Sequence, residues 1–352
     1  MRVRTATLAD RDSWNSYVQE KAKVEPQLAH HAYDFGWSEI LHDVFGHEPH
    51  YLLAETGGVV DGVLPLFKLS SLLFGRSLIS VPYLNAGGIV ANNEAAFLAL
   101  LESATKLSAD LNTSYMELRS RQALSYYPSE MPHRSHKAAV ILPISEPENT
   151  FSSFKAKLRS QIRRPSKSGV YAKTSKTMSL SSSLIAFYEV FSRNMRDLGT
   201  PVYPRQLFAK ALEHFGKRAS VITVWYENKP IAAGITLAFG QSVEMPWASS
   251  LKRYNHLSPN MLLYWEAMKL ACEDGYTQFD FGRSSLDSGA FRFKEQWGGT
   301  SLPLHWYYHL NSGETPNVNP DNPSFSFLVK CWKYLPLPIA NTVGPRLTRG
   351  VP

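Results

Sequence analysis

Apolar and polar residues follow the same order of patterns in the two halves of this chain. In each half, alternating apolar positions predict a meander of antiparallel strands, helical spacing predicts one helix, and a further alternating run predicts a strand. In the first half, these elements are predicted at residues 51–55, 59–69, 77–81, 94–110 and 114–118. In the second half, they are predicted at residues 221–226, 231–239, 243–249, 258–274 and 277–281. The shared order favours an internal duplication, and a coincidence between two common arrangements is the alternative.

An arginine-serine pair follows the last strand predicted in each half, as Arg119-Ser120 and as Arg283-Ser284. This match supports the duplication. Helices that cover such meanders give an α+β fold of two domains, with mixed and mostly antiparallel sheets flanked by helices. We therefore predict domains over residues 1–145 and 146–312, followed by a proline-rich tail over residues 313–352.

The predicted tail combines apolar and basic residues. Residues 325–334 are predicted as a short amphipathic helix, which Pro336 and Pro338 prevent from continuing. Packing of the tail on its own domain is one interpretation of this stretch. Contact with a membrane interface is the other, and it would suit Trp332, Lys333, Tyr334 and Arg346.

Composition narrows the class of protein. The 352 residues are 44% hydrophobic and 19% charged, as in a globular chain. The net charge of +7 favours anionic partners such as phosphates, nucleic acid or an anionic membrane, although ordinary solubility explains it equally well. The sequence shows no signal-peptide pattern and no run of about 18 apolar residues. We therefore expect a cytoplasmic protein, with peripheral contact to the inner membrane as an option.

The residues that commonly bind metals are poorly spaced for that purpose. Cys272 and Cys331 show no metal-ligand spacing. His47 and His50 lack the spacing of the metalloprotease motif, and Pro49 between them would break the helix that the motif needs. We therefore predict no metal site.

A basic segment lies between the two repeated groups of predicted elements. Residues 151–183 contain eight basic side chains and no acidic one. Its apolar residues Phe151, Phe154, Leu158 and Ile162 would share one face of a helix that Pro165 ends. The segment is predicted to contact a phosphate-rich partner, and a solvated helix face is the alternative. The basic patch predicted for that contact comprises Arg159, Arg163, Arg164 and Lys167.

Four short stretches in the second half carry a family resemblance: residues 247–250 (WASS), 258–265 (SPNMLLYW), 279–284 (FDFGRS) and 293–298 (FKEQWG). The chain resembles the FemAB-like branch of the GNAT-fold acyltransferases. It is most similar to the FemAB-like proteins found with bacterial exopolysaccharide and PEP-CTERM sorting systems. The likeness extends more weakly over residues 1–310.

This resemblance implies two tandem GNAT-like domains and an N-acyltransferase activity. The acyl or aminoacyl group would pass from an activated donor to an amine on a cell-envelope or exopolysaccharide precursor, such as a peptidoglycan precursor. The acceptor amine would attack the donor directly in a ternary complex, with no tightly bound cofactor. Acyl-CoA or aminoacyl-tRNA would serve as co-substrate.

Two departures from the family bear on the donor. The pyrophosphate-binding loop of GNAT proteins that use acetyl-CoA is absent from residues 250–260, which weakens the case for acetyl-CoA. The long helical hairpin with which FemAB ligases extend their second domain is absent too, which weakens the case for a clamp on tRNA. Both tRNA and other acyl carriers therefore stay open as partners, and DNA is not expected.

Acyl transfer needs oriented substrates, cations near phosphates and a proton acceptor rather than a catalytic triad. The resemblance implies that Lys294 and Arg283 face the donor, and Lys294 is the predicted catalytic cation. Asp280 is the predicted proton acceptor, with a structural cap as the alternative. A salt bridge from Arg283 to Asp280 or Asp287 is likewise an alternative. The predicted donor-binding residues are Trp247, Ser249, Tyr254, Asn260, Arg283, Ser284 and Trp297.

The acceptor is predicted to bind the first domain. Tyr83 and Asn85 lie in a loop before Gly87-Gly88 that corresponds to the donor loop of the second half, and Arg119 is predicted to contact an acceptor phosphate. A plain turn is the alternative for the two glycines. Two other classes of function stay open: a non-catalytic twin-GNAT adaptor of an exopolysaccharide or protein-sorting system, and a nucleic-acid binder. The basic segment lacks the aromatic stacking platform that a nucleic-acid binder would use.

Overall fold

The computed structural model describes residues 1–71, 75–176, 180–313 and 326–351. The chain forms two compact units, each built from separate stretches of sequence. Unit 1 comprises Met1–Ala138, Leu302–Val318 and Arg349–Pro352. Unit 2 comprises Ala139–Ser301 and Asn319–Thr348.

The first part of the chain supplies most of unit 1. Its elements in chain order are β1 (Arg2–Thr5), α1 (Arg11–Val24), α2 (Trp37–Phe45), β2 (Glu48–Pro49), β3 (Leu52–Thr56), β4 (Val59–Leu64), β5 (Phe67–Ser71), β6 (Gly75–Ile79), β7 (Val90–Ala91), α3 (Glu94–Asp110) and β8 (Tyr115–Ser120). Strand β9 (His133–Pro143) then leads into unit 2.

The elements that follow are α4 (Pro147–Ser153), α5 (Ala156–Lys167), β10 (Tyr171–Ser175), α6 (Leu180–Leu198), α7 (Arg205–Phe215), β11 (Ala219–Tyr226), β12 (Lys229–Phe239), β13 (Ser242–Ser250), α8 (Pro259–Glu273), β14 (Gln278–Ser285), α9 (Gly289–Glu295), β15 (Thr300–Leu310), α10 (Ser326–Lys333) and α11 (Leu337–Thr348). In the described part of the chain, every helix is too short or too polar to traverse a lipid bilayer.

Unit 1 contains two groups of strands around helix α3. Strands β1, β3, β4 and β7 form an antiparallel sheet in that order, and a second group has the order β15-β8-β6-β5-β2. Phe97, Leu100 and Ala104 of α3 are buried in the core of this unit, as helical spacing predicts. Strand β15 pairs with β8 from His305 opposite Ser120 to Leu310 opposite Tyr115. This strand therefore completes unit 1, whereas the predicted boundary at residue 312 assigned it to the second domain.

Unit 2 is built on strands in the order β10-β11-β12-β13-β14-β9. Helices α6 and α7 cover one face, where Asn194 donates a hydrogen bond to Ser249 and Phe208 packs edge-on to Trp247. Ser250, the next residue of β13, lies beside the start of α8. Successive residues of a strand point to opposite faces, so α8 covers the other face.

A bulge in β13 changes its direction next to β14. Ile235 of β12 lies opposite Trp247 of β13, whereas Leu237 lies opposite Glu244, so β13 has one extra residue between these pairs. Pro246 occupies this bulge, which is a position where a strand tolerates a proline. The parallel pairs of β13 with β14 run from Ser242 with Gln278 to Glu244 with Asp280, before the bulge. Beyond them the two strands part.

Of the predicted helices, that of the basic segment is wrong and that of the tail is confirmed. The predicted single helix of the basic segment is two helices, α4 and α5, with Phe154 in an extended conformation between them. Pro165 lies inside α5, which ends at Lys167. In the predicted tail, α10 confirms the helix expected at residues 325–334, whereas α11 was not predicted; both helices pack on α6.

Candidate functional site

A cavity of about 330 Å³ lies in unit 2 at the beginning of α8. It opens on the face of the sheet that α8 covers, close to the point where β13 parts from β14. Its wall is mostly polar, with one basic side chain. The lining residues are Gln161, Arg164, Ser250, Asn255, Ser258, Pro259, Asn260, Met261, Phe293 and Gln296.

The start of α8 offers an anion the backbone N–H of Asn260, because Pro259 has no N–H and the Met261 N–H donates to the Ser258 carbonyl oxygen at 3.0 Å. The first backbone N–H groups of a helix have no acceptor within the helix and carry a positive partial charge. Pro259 is the first residue of α8, as predicted. Ser258 precedes it, and serine commonly caps a helix, but the Ser258 side chain makes no capping hydrogen bond and its backbone is left-handed (φ 53°). The first turn is therefore not capped by its own serine.

Helix α5 adds the charge of an arginine side chain to the partial positive charge at the start of α8. Arg164 and Gln161 of α5 line the cavity. The other predicted basic residues have different roles: Arg159 donates to the carbonyl oxygens of Ser152 and Phe154 at 2.8 and 3.0 Å, and the Arg163 guanidinium lies over the Phe151 ring. Lys167 is exposed. Of the predicted patch, Arg164 is thus the residue that meets the cavity.

Lys294 is a buried cation on the short helix α9. It is 7% exposed, and its Nζ donates to the carbonyl oxygens of Gly282 at 2.9 Å and Arg283 at 3.1 Å. These two hydrogen bonds use two of its three N–H donors. Burial lowers the pKa of Lys294 to about 8, although the negative charges of Asp280 and Glu244 oppose this shift.

Aromatic side chains fix helix α9 beneath the cavity. Trp297 is 2% exposed and packs against Phe154, Phe281 and Phe293, with ring centroids 5.5 to 6.3 Å apart. Tyr264 of α8 packs against Phe281 and Phe293. Because Phe293 and Gln296 line the cavity and Lys294 lies between them in sequence, this packing fixes the position of Lys294 relative to the cavity.

The predicted donor-binding residues separate into three groups. Asn260 lines the cavity. Trp247 and Ser249 face helices α6 and α7 on the opposite side of the sheet, and Tyr254 packs against Tyr226. The third group surrounds Lys294: its members are Arg283, Ser284 and Trp297. The buried Ser284 hydroxyl has no hydrogen-bond partner among the described residues, and the charge of Arg283 contributes to the lowered pKa of Lys294.

Sequence reasoning missed several residues of the cavity wall. Phe293 and Gln296 belong to the stretch that carries the resemblance, and their neighbour Lys294 was predicted, so a signal for them was present. Gln161 and Asn255 gave no signal, because nothing local indicates that α5 packs beside α8. The missed lining residues are Gln161, Ser250, Asn255, Ser258, Pro259, Met261, Phe293 and Gln296.

Arg119 is engaged inside unit 1. It is 3% exposed, its Nε donates to Glu117 at 2.7 Å, and its Nη1 donates to the Leu84 carbonyl oxygen at 3.0 Å. The Trp306 ring lies 4.6 Å from its guanidinium carbon. These contacts give Arg119 a structural role, so it would influence an acceptor through the loop that it supports.

That loop contains Tyr83 and Asn85. Val81 and Tyr83 have positive φ values of 41° and 70°, which cost energy in residues other than glycine. The Tyr83 hydroxyl lies 2.6 Å from Nε2 of His47, and burial lowers the pKa of His47 to about 4. Strained loops that the surrounding structure enforces are frequent at binding sites. Acceptor binding by Tyr83 and Asn85 stays a prediction.

A family comparison covers most of unit 2. Residues 152–295 match the family described as Acetyltransferase (GNAT) domain, and they lie entirely within unit 2. This match includes the cavity, the bulged strand and Lys294. No curated protein sequence gives a significant match.

Solved structures match nearly the whole chain. FemX is 15% identical, with a TM-score of 0.66 over 94% of this chain and 100% of FemX. The C-terminal domain (DUF2156) of a putative lysylphosphatidylglycerol synthetase from Agrobacterium fabrum is 13% identical, with a TM-score of 0.55 over 85% and 93% of the two chains. A tandem GNAT protein from the clavulanic acid biosynthesis pathway is 10% identical, with a TM-score of 0.56 over 89% and 99%.

These comparisons define the class of protein. The chain has the GNAT fold and is similar over its length to tandem GNAT structures, which confirms the predicted fold class. Within the chain, residues 152–295 are similar in sequence to the acetyltransferase (GNAT) domain family. The resemblance to the FemAB family agrees with the similarity to FemX.

Proposed function

We propose that this chain is an N-acyltransferase that moves an acyl or aminoacyl group from a phosphate-bearing donor to an amine. One observation in unit 2 carries the proposal. The cavity at the start of α8 is lined by Arg164 and by Asn260 of the first helical turn, and Phe293 of its wall precedes the buried Lys294 on α9. In this proposal the cavity binds the phosphates of the donor, and Lys294, which follows the lining residue Phe293 in sequence, serves the carbonyl oxygen.

The proposed chemistry follows from the charge that develops during transfer. The acceptor nitrogen attacks the acyl carbonyl carbon, and negative charge builds on the carbonyl oxygen while the new C–N bond forms. The bond to the leaving oxygen or sulfur then breaks and the carbonyl is restored. The third N–H of Lys294 would donate a hydrogen bond to the oxyanion. A hydrogen-bond donor that is fixed in a buried site stabilises such a charge strongly. Loss of one such hydrogen-bond donor slows turnover by roughly 100- to 1,000-fold.

The proton released by the attacking nitrogen needs an acceptor, and Asp280 is our proposal for it. Asp280 is 1% exposed, and its Oδ1 accepts a hydrogen bond from the Gly282 N–H at 2.7 Å. The proton would pass on to the leaving oxygen or sulfur, so that charge balances over one turnover. The replacement Asp280→Asn keeps an oxygen acceptor for Gly282 and removes the base. Lost turnover at an unchanged melting temperature supports the base, and retained turnover leaves Asp280 the structural cap.

The donor and acceptor classes are part of the proposal. The name of the lysylphosphatidylglycerol synthetase among the similar structures denotes an aminoacyl product, which favours an aminoacyl donor here. The acceptor we propose is an amine on a cell-envelope or exopolysaccharide precursor, bound near Tyr83 and Asn85 of unit 1. A cytoplasmic location and an association with a PEP-CTERM system stay predictions.

A thermal-shift screen of the full chain tests the donor site. Acetyl-CoA, a long-chain acyl-CoA, deacylated tRNA and a nucleotide-linked sugar are compared, since a ligand that binds only the folded state raises the melting temperature. At a concentration 100-fold above Kd, the stabilisation is about 2.7 kcal/mol. Arg164→Ala should abolish most of the shift. Lys167→Ala is the matched control, because it removes an exposed cation from the same helix outside the cavity.

The outcomes separate the classes of function. A shift with a CoA ester identifies an acyl-CoA transferase, and a shift with tRNA alone identifies an aminoacyl transferase. If no donor shifts the melting temperature, or if both variants respond equally, the proposed site is wrong. The adaptor alternative is tested in cells, where it predicts that a folded Lys294→Met variant keeps full biological function.

A further inference from the structure

Helix α11 buries its small residues and exposes its large ones. Ala340, Gly344 and Thr348 are buried, whereas Ile339, Val343 and Leu347 are 36 to 47% exposed. A Cβ atom on Gly344 would lie 2.7 Å from the Val202 backbone nitrogen, so the helix is pressed closely onto that segment of unit 2. A helix on a protein surface normally buries its large apolar residues and exposes polar ones. The exposed stripe of α11 is therefore unlike an ordinary solvated face.

Helix α10 also packs on α6 and carries exposed apolar residues. Phe327, Leu328 and Tyr334 are 72, 60 and 88% exposed. Helix α10 is fixed on α6, because a Cβ atom on Gly199 would lie 2.5 Å from a Val329 methyl carbon. We call the exposed side chains of this pair of helices the α10–α11 surface. Its members are Phe327, Leu328, Lys330, Lys333, Tyr334, Ile339, Val343, Arg346 and Leu347.

The charges of this surface have one sign. Residues 326–348 contain three basic side chains, Lys330, Lys333 and Arg346, and no aspartate or glutamate. All three are exposed. Basic residues interspersed with exposed large apolar residues are the combination that binds the interface of an anionic bilayer, where the apolar groups enter the headgroup region and the cations remain at the phosphates.

A basic cavity adjoins the surface. A volume of about 400 Å³ beside Leu337 of α11 is lined by four basic side chains and one acidic one. Arg196 is held by Asp197 and by the Leu335 carbonyl oxygen, and Arg193 lies 3.7 Å from Glu189. The lining residues are Arg193, Arg196, Asp197, Leu251, Lys252, Arg253 and Leu337. The excess of positive charge beside exposed apolar residues matches phosphate headgroups above acyl chains.

We propose that the α10–α11 surface binds a membrane that contains anionic phospholipid. A second copy of this chain is a poorer partner, because an isologous contact would bring like charges together. A nucleic acid would satisfy the cations but leave the apolar residues in water. The inference is independent of the proposed acyl transfer, since membrane binding needs neither donor nor acceptor.

Vesicle co-sedimentation of the full chain tests the proposal. Phosphatidylcholine vesicles with and without phosphatidylglycerol are compared at low and high salt. We expect binding to the anionic vesicles only, and weaker binding in high salt. Each basic residue near an anionic surface strengthens binding by about fivefold, so the triple variant Lys330→Ala/Lys333→Ala/Arg346→Ala should bind roughly 100-fold more weakly.

Matched variants separate this surface from the rest of unit 2. Val343→Ser/Leu347→Ser should also lose vesicle binding, whereas Ile185→Ser, at a more exposed apolar residue of α6, should keep it. The triple variant Lys155→Ala/Lys157→Ala/Lys167→Ala removes three exposed cations of the basic segment and should bind normally. All these residues are exposed, so we expect unchanged melting temperatures.

Three results would overturn the proposal. The first is equal binding to neutral and anionic vesicles. The second is a loss of binding in the basic-segment triple variant with none in the α10–α11 triple variant. The third is self-association in sedimentation velocity that Val343→Ser/Leu347→Ser abolishes, without vesicle binding, because the surface would then join two copies of the chain.

Discussion

Lys294 carries a charge that burial opposes, and its pKa of about 8 lies within the range of enzyme assays. If the ammonium stabilises the oxyanion, turnover should be high below pH 8 and should fall as the pH rises through about 8, because the charge is lost. A pH profile of kcat measures this. Lys294→Arg should move the fall to higher pH, since a guanidinium stays protonated, and Lys294→Met should remove it. Lys167→Ala is the control and should leave the fall in place.

The same lowered pKa predicts a change in stability with a definite sign. The pKa of Lys294 is about 8 in the folded chain, below its ordinary 10.5, so between these values the unfolded chain binds more protons. The contribution of Lys294 to the free energy of unfolding therefore rises with pH over that window. Urea unfolding of the chain and of Lys294→Met measures it as a difference. A difference that stays constant with pH would mean that Lys294 is not the titrating group.

Arg119 and Glu117 form an ion pair in which both side chains are buried, at 3 and 2% exposure. Arg119→Ala should lower the free energy of unfolding by about 3–5 kcal/mol, because it leaves the Glu117 carboxylate buried without its partner. The double variant Arg119→Met/Glu117→Gln should recover much of this loss. Urea unfolding of the three variants decides the question. A weak effect on stability together with a large rise in KM for the acceptor would favour direct contact with the acceptor.

Among the elements, the starts of α3 and α8 make a matched pair. Asn93 accepts a hydrogen bond from the Ala96 N–H and so caps α3, whereas the Ser258 side chain does not cap α8. Asn93→Ala should therefore cost about 1 kcal/mol, and Ser258→Ala much less. Ser258→Gly should be neutral or stabilising, because glycine accepts the left-handed backbone without strain. Thermal unfolding measures all three, and a large loss in Ser258→Ala would show that its hydroxyl does stabilise the helix.

The elements that could be predicted are those whose signal is local. Alternation located β11 to β14, and proline and glycine punctuation located α8, because these patterns depend on neighbours in sequence. The break at Phe154 was missed because the apolar residues of the basic segment do fit one face of a single helix. In the structure, Phe151 belongs to α4, Phe154 lies between the helices, and Leu158 and Ile162 belong to α5. The bulge of β13 has a visible signal in Pro246, but its effect on β14 depends on a strand that follows 15 residues of helix.

The candidate site was predicted in part for the same reason. Lys294 was found through a motif, and its burial against the carbonyl oxygens of Gly282 and Arg283 could not be read from sequence. Arg164 was one of eight cations in a basic segment, and only the packing of α5 beside α8 distinguishes it from Lys167. Trp247 and Ser249 belong to β13, as the cavity residue Ser250 does, but they face α6 and α7 rather than the cavity. The bulge in β13 sets which of its residues point to each face of the sheet.

At the scale of the whole molecule, unit 1 combines the first 138 residues with a strand from much later in the sequence. Strand β8 is buried along its whole length, from Tyr115 to Ser120, and its partner β15 lies about 190 residues later in the sequence. Tyr307 of β15 also stacks on Tyr127 with ring centroids 3.7 Å apart. A fragment of residues 1–145 would therefore expose one edge of β8 and one face of Tyr127. Unpaired apolar edges of this kind favour aggregation.

We accordingly expect a fragment of residues 1–145 to unfold without cooperativity or to aggregate. Adding residues 302–313 through a flexible linker should restore cooperative thermal unfolding, because it returns the six pairs between β15 and β8. A matched fusion in which residues 302–313 are scrambled should not, since it has the same composition without the register. Circular dichroism and size-exclusion chromatography of the three fragments measure the outcome. Cooperative unfolding of residues 1–145 alone would show that β15 is dispensable for unit 1, and the predicted boundary at residue 145 would then describe an independent domain.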